Sequence, residues 1–156
     1  MKMDSKEKEM LLDFMKSHKL MTLATFDNKP WVATVFYVAD ENLNLYFLTS
    51  PKTEHGQHIA KNGMVACNII NSHQQVISQK MGLQIEGTAE KVSVFESIKK
   101  TLQMWHNTNP GKEDKLSFDN IKNKVIGARV YKVTPSRMKF FNEKLYLKEE
   151  SKVFEL

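Results

Sequence analysis

The sequence predicts an α+β fold: an antiparallel β-sheet of six or seven strands, bent into a barrel and flanked by helices. Three observations carry this. Apolar, β-branched runs follow one another through brief polar links, the pattern of antiparallel neighbours. A long run, Gln79 to Val92, is interrupted by Gly82 and Gly87, and glycine inside a strand marks a bulge or bend that lets a sheet curl. Apolar residues at helical spacing recur at the start of the chain, after the third strand and after the fifth.

Asp4 or Ser5 can cap a first helix running to about His18, with Met10, Leu11, Phe14 and Met15 on its apolar face. Leu20 to Phe26 reads as a strand, Asp27-Asn28-Lys29-Pro30 as a turn by composition, and Trp31 to Ala39 as the next strand. With the run from Leu45, these predict a three-stranded meander. Met64 to Ile70 follows the second helix, and Asn71 to Gln75 is a polar loop. Ser93 is placed to cap a long helix ending near His106, with Phe95, Ile98, Leu102 and Trp105 along one side as core or as a contact between copies. Asn107 to Ser117 is the one loop composed for flexibility, and a short helix is expected near Phe118–Lys124. Ala128 to Thr134 alternates as a strand, Pro135 is expected to break it, and Met138 to Phe141 to close the sheet. No repeat or linker divides the chain, so residues 1–156 read as one domain, with a helix over 1–19 and an unassigned tail over 143–156.

Composition narrows the function. The hydrophobic content of 41% and charged content of 26% are those of a soluble globular protein. No apolar run is long enough to span a bilayer, and MKMDSKEKEM lacks the apolar core of a signal peptide, so a cytoplasmic protein with no membrane partner is expected. The net charge of +5 favours anionic partners, but the lysines are interleaved with acids along the whole chain, which does not make a nucleic-acid stripe. Cys67, the single cysteine, sits in an apolar strand and excludes an internal disulfide. His55 and His58 form H-x-x-H, too few ligands for a metal when the other histidines lie in unrelated segments; no metal is expected.

The chemistry-bearing stretch is Leu45 to Ile70, LYFLTSPKTEHGQHIAKNGMVACNII. A strand ends at Thr49-Ser50, Ser50 can cap a helix, and Pro51 suits a first helical turn because its missing N–H would be unpaired there anyway. Around that start lie Thr49, Ser50, Lys52, Thr53 and His55, and the helix adds free N–H groups and the positive end of its dipole. Hydroxyls, a cation, an imidazole and oriented amides together suit an anion such as a phosphate. Asn62-Gly63 then stops the helix.

These residues resemble the phosphate-binding segment of the pyridoxamine 5′-phosphate oxidase-like, FMN-binding split-barrel proteins: a strand, T-S-x-x-[ST]-x-[KRH], a helix, then N-[PG]-x-V-A. LMTLAT, PWVATVFYV and LQIEGTAEKV match in order and spacing, so the resemblance covers about Leu20 to Asn142. It implies an antiparallel split β-barrel that dimerises and holds FMN in a groove between two subunits. Thr49, Ser50, Thr53 and His55 would hold the phosphate. Family members usually carry Lys or Arg where His55 stands, and Lys52 is near enough in sequence to supply a permanent charge. Thr34, Val35 and Phe36 would offer main-chain groups to the flavin edge, Gln84 would add a contact from the fifth strand, and Trp31 would pack on a ring system. If the His55 imidazolium held the phosphate, FMN affinity would be highest at mildly acidic pH and fall toward pH 8.

No paired carboxylates, nucleophile with an adjacent base, or Gly-rich dinucleotide loop accompanies this segment, and flavin chemistry needs little from side chains beyond binding and orientation. The C-terminal VTPSRMKFFN offers only Arg137, which does not match the arginine-rich substrate motif of true pyridoxamine phosphate oxidases. The expectation is an FMN-dependent oxidoreductase acting on an unidentified small molecule. The alternative is a non-catalytic flavin or haem binder serving storage, sensing or protection.

Overall fold

A computed structural model describes residues 3–156. Helix α1 (Ser5–Lys16) opens with a capping box, in which the Asp4 side chain accepts from the Glu7 N–H and Glu7 reaches back to the Asp4 N–H. Its Leu11, Leu12, Phe14 and Met15 are buried. The strands follow as β1 (Leu20–Asp27), β2 (Lys29–Phe36), β3 (Val38–Ala39), β4 (Leu45–Thr49), β5 (Met64–Ile70), β6 (Met81–Lys91), β7 (Arg129–Asn142) and β8 (Ser151–Glu155). Between them stand α2 (Glu54–Lys61), α3 (Phe95–Thr108), α4 (Phe118–Lys122) and α5 (Glu143–Tyr146), the last followed by a 3₁₀ turn, Leu147–Glu149.

The strands form one antiparallel sheet in the order β2-β1-β5-β6-β7-β4-β3, with β8 also on β7. Strands β2 and β3 are separated in sequence only by Tyr37 yet lie at opposite ends of that order, so the sheet must curl until its ends meet. The result is a split barrel. Its interior is filled from alternate positions: Met21 and Leu23 of β1, Phe47 of β4, Val65, Cys67 and Ile69 of β5, Leu83 and Ile85 of β6, and Met138 and Phe140 of β7. A second cluster lies outside it, where Ile98 and Leu102 of α3 and Ile121 of α4 pack on Val130.

Several sequence expectations are corrected. The stretch from Trp31 to Ala39 is not one strand: Tyr37 turns inward, its hydroxyl donating to Met15 O at 2.6 Å, and the chain leaves one sheet end for the other. The meander reduces to two hairpins, because β4 pairs with β7 and not with β2. The first reversal is made at Asn28, whose φ is 63°, so Lys29 and Pro30 already belong to β2. Pro135 does not break β7, because it sits where no ladder bond is lost. On one side β4 pairs only as far as Val133 and β8 begins at Arg137, while on the other the β6 register slips at Glu86/Gly87. Gly87 is required there, since a Cβ would lie 2.4 Å from Thr134 O. Gly82 pairs regularly and carries no bulge. The helix caps are Thr53 and Val94 rather than Ser50 and Ser93, and Val94 makes no side-chain cap bond. The unassigned tail becomes α5, the 3₁₀ turn and β8, an eighth strand. Among the described residues no helix is long and apolar enough to cross a membrane.

Candidate functional site

Strand β4 delivers Thr49 to the end of the barrel interior, one alternation beyond Phe47, and the chain folds back through Ser50–Thr53 into α2. Thr53 caps α2: its hydroxyl accepts from the Gly56 N–H at 3.1 Å and donates to Ser50 O at 2.8 Å. Gly56 is needed for this fold-back, because a Cβ there would lie 2.7 Å from Ser50 O. The first two amides of α2, at Glu54 and His55, have no partner among the described residues. Lys52 is exposed; its N–H donates to Ser50 Oγ at 3.2 Å and its carbonyl accepts from Gln57 Nε2 at 2.8 Å.

Both imidazoles of α2 point into the barrel. His55 Nε2 and Thr49 Oγ1 are 2.8 Å apart, and His58 Nδ1 and Thr25 Oγ1 are 3.1 Å apart. Burial first, and the neighbouring His58 second, hold the His55 pKa below its ordinary value. The two histidines clasp α2 to β1 and β4. Among the described residues no group of three or more His, Cys, Asp or Glu side chains could hold a metal. Burial raises the Cys67 thiol to about 12, which makes it inert.

One residue of this corner escaped the sequence reading. Arg129 is the register partner of Thr49, and the Gly127 position lies within 3.8 Å of Ser50 Oγ. The guanidinium donates to the carbonyls of Ile126 and Ala128, and its charge opposes the upward shift that burial imposes on Tyr131. The signal was present: Arg129 and Arg137 are the only arginines in the chain, both on β7.

The remaining candidates lie elsewhere. Strand β2 ends the sheet order, so its outer main-chain edge is paired by no strand among the described residues. There Val35 turns inward against the core, while Thr34 and Phe36 face out. Thr34, Thr22, Asn68, Gln84 and Lys139 are successive register partners across β2, β1, β5, β6 and β7, and form a polar rung on the outer face. Thr22, Asn68, Gln84 and Lys139 line a depression of about 290 Å³ there, which Arg137 also reaches while held by Glu86 at 2.6 Å. Thus Thr49, Ser50, Lys52, Thr53 and His55 are gathered at the barrel end, whereas Thr34, Phe36 and Gln84 are on the outer face. Trp31 is exposed on the inward-facing side of β2.

The curled sheet and the helix-start corner define a split-barrel protein. The family profile described as pyridoxamine 5′-phosphate oxidase matches residues 8–141, and the chain belongs to that family. No curated protein matches by sequence. Among solved structures the chain is similar to Campylobacter jejuni ChuZ, with TM-score 0.75 and 15% identity, over 99% of this chain and 61% of that one. It is also similar to HutZ, the heme storage protein from Vibrio cholerae, with TM-score 0.66 and 18% identity over 86% and 91%. A candidate pyridoxamine 5′-phosphate oxidase from Listeria innocua gives TM-score 0.64 and 19% identity over 85% and 96%. Likeness at such identities speaks to the fold.

Proposed function

We propose that this chain binds FMN as a homodimer and uses it to oxidise or reduce a small molecule. The observation that carries the reading is the start of α2. Two main-chain N–H groups, at Glu54 and His55, are left open at the positive end of a helix, beside the exposed Lys52 and the Ser50 turn, with Arg129 across the ladder. That donor set suits a phosphate. Thr53 stiffens the turn and His55, bonded to Thr49, fixes the helix; neither polar group needs to move for an anion to be held. The unpaired edge of β2, around Thr34–Phe36, is suited to the polar rim of the ring system, as the family likeness implies. Bound FMN would supply the redox chemistry, and the residues here bind, orient and shield it. Gln84 and the Thr49 corner lie on different faces of one chain, so a single cofactor that meets both requires a second copy.

Titration should quench FMN fluorescence at micromolar concentration or tighter, and no binding at high micromolar FMN would overturn the reading. NAD(P)H oxidation with an electron acceptor, measured at steady state, separates an enzyme from a binder. A haem-binding role is the second reading. It is favoured by the likeness to HutZ and by His73, an exposed imidazole that makes no side-chain hydrogen bond among the described residues. The absorption spectrum of the protein as isolated distinguishes the two cofactors.

A further inference from the structure

The net charge is not spread evenly through the molecule. Lys91 to Arg129, which carries α3, α4 and their connections, holds eight basic and four acidic residues, whereas the rest of the chain holds fifteen and fourteen. Four of the five net positive charges therefore sit in one quarter of the sequence. Two of the four acids there are already engaged. Glu96 pairs with Lys99 at 3.1 Å, and the Glu113 carboxylate accepts from the Gly111 N–H at 2.9 and 3.0 Å. Of the eight cations, only Lys99 is ion-paired among the described residues.

The arm that shows these charges is anchored. Ile98, Leu102 and Ile121 pack on Val130, and the Ser117 hydroxyl caps α4 by accepting from the Asn120 N–H at 3.2 Å. The first turn of α3 meets α4 through Phe95 and Phe118, edge to face with centroids 5.7 Å apart. Lys99 Nζ stands 5.0 Å from the Phe118 centroid, and Lys122 Nζ stands 5.4 Å from that of Phe95. Two ammoniums are thus gathered on one ring pair. Val94 precedes this cluster and Val125 follows α4; with Phe95 they are 60%, 69% and 52% exposed.

We propose that the α3–α4 arm is a docking surface for an anionic membrane. Lys100, Lys122 and Lys124 meet the headgroups while Val94, Phe95 and Val125 enter the interface beneath them. Apolar groups standing in water among unpaired cations match what one bilayer leaflet offers, negative charge above and hydrocarbon below. Single-stranded nucleic acid matches less of the patch. The Phe rings already carry ammoniums and leave no stacking platform, and the valines gain nothing from phosphates. An acidic peptide would need a groove for its own apolar groups, and these side chains project from the surface. The expectation of no membrane partner rested on spanning length and on charge along the whole chain, neither of which registers such a patch. The contact is independent of the cofactor.

Vesicle co-sedimentation of the full chain tests it, comparing pure phosphatidylcholine with equal parts of phosphatidylcholine and phosphatidylglycerol. Wild type should bind the anionic vesicles, ignore the neutral ones, and be released in about 1 M salt, where the screening length falls to about 3 Å. Lys100→Gln with Lys122→Gln should weaken binding by at least about tenfold. Val94→Ser with Val125→Ser should weaken it by at least about fivefold while every lysine remains. Serine at position 94 supplies the capping hydroxyl that α3 lacks, so this variant should keep the wild-type circular dichroism spectrum. No binding to the anionic vesicles at millimolar lipid overturns the proposal, as does full retention of binding by either double variant. A fluorescent single-stranded oligonucleotide and polyglutamate serve as rival probes. If either is bound more tightly than the vesicles and is released by the lysine changes, the patch serves that partner and the membrane reading falls.

Discussion

At the scale of single residues, His55 shows how a family position changes its physics. Where the sequence resemblance leads one to expect a permanent cation, this chain places an imidazole that faces Thr49 in a buried corner, with its pKa lowered by burial and by His58. A neutral His55 adds no charge for a phosphate at neutral pH, so Lys52, Arg129 and the amides of α2 would carry the anion. FMN affinity should then vary by less than about threefold between pH 6.5 and 8. Tightening toward acid that disappears in His55→Asn would instead assign the phosphate to the imidazolium. The sign for stability follows from the direction of the shift. A histidine whose folded pKa lies below its unfolded value of about 6.5 binds protons preferentially when unfolded. Its contribution is therefore complete above that unfolded value and is lost as pH falls through the folded one. Thermal melts between pH 7.5 and 5 should fall for wild type and fall less steeply for His55→Asn.

At the scale of elements, the bend of the β6–β7 pair depends on one glycine and one proline facing each other at a register slip. Gly87→Ala sets a Cβ against the Thr134 carbonyl and should cost about 1–3 kcal/mol in denaturant unfolding. Gly82→Ala meets nothing closer than 3.6 Å and should be neutral or stabilising by up to about 1 kcal/mol, since alanine restricts the unfolded chain more than glycine. Equal losses for the two would place the bend elsewhere. The sequence announced both glycines as bends, but only pairing partners decide which one is, and Thr134 and Pro135 are nearly fifty residues away. The same limit explains Pro135. Local chemistry says that proline ends a strand, and only the gap between β4 and β8 shows that no bond is lost there. Helix and strand identities were legible because their periodicities are local. The helix-start corner was legible for the same reason, its residues falling within Thr49–His55. Arg129 reaches that corner through strand pairing, which spacing does not encode.

At the scale of the whole molecule, the tail was the least legible part and is integral to the barrel. Five residues with one buried side chain, Phe154, make too short an alternation to read as a strand. Yet Phe154 is 2% exposed, packs in the main core and pairs with Met138 across the ladder, while Lys152 reaches Glu7 of α1. The carboxylate of Glu7 is held below its ordinary pKa, chiefly by its hydrogen bond with Lys152. The first helix and the last strand are thus joined over the same side of β7, and Leu156 N still donates to Ser136 O at 2.9 Å. If β8 is part of one cooperative unit, Phe154→Ala should destabilise the entire fold by about 3–5 kcal/mol, the range for emptying an aromatic core site. Denaturant unfolding should remain a single transition with unchanged slope, and the midpoint should move to lower denaturant. Glu7→Gln should shift it much less, because an ion pair in reach of solvent contributes little beside an emptied aromatic core site. A wild-type midpoint in Phe154→Ala, or a separate early transition, would make the tail an appendage and leave β7 with a free edge beyond Arg137.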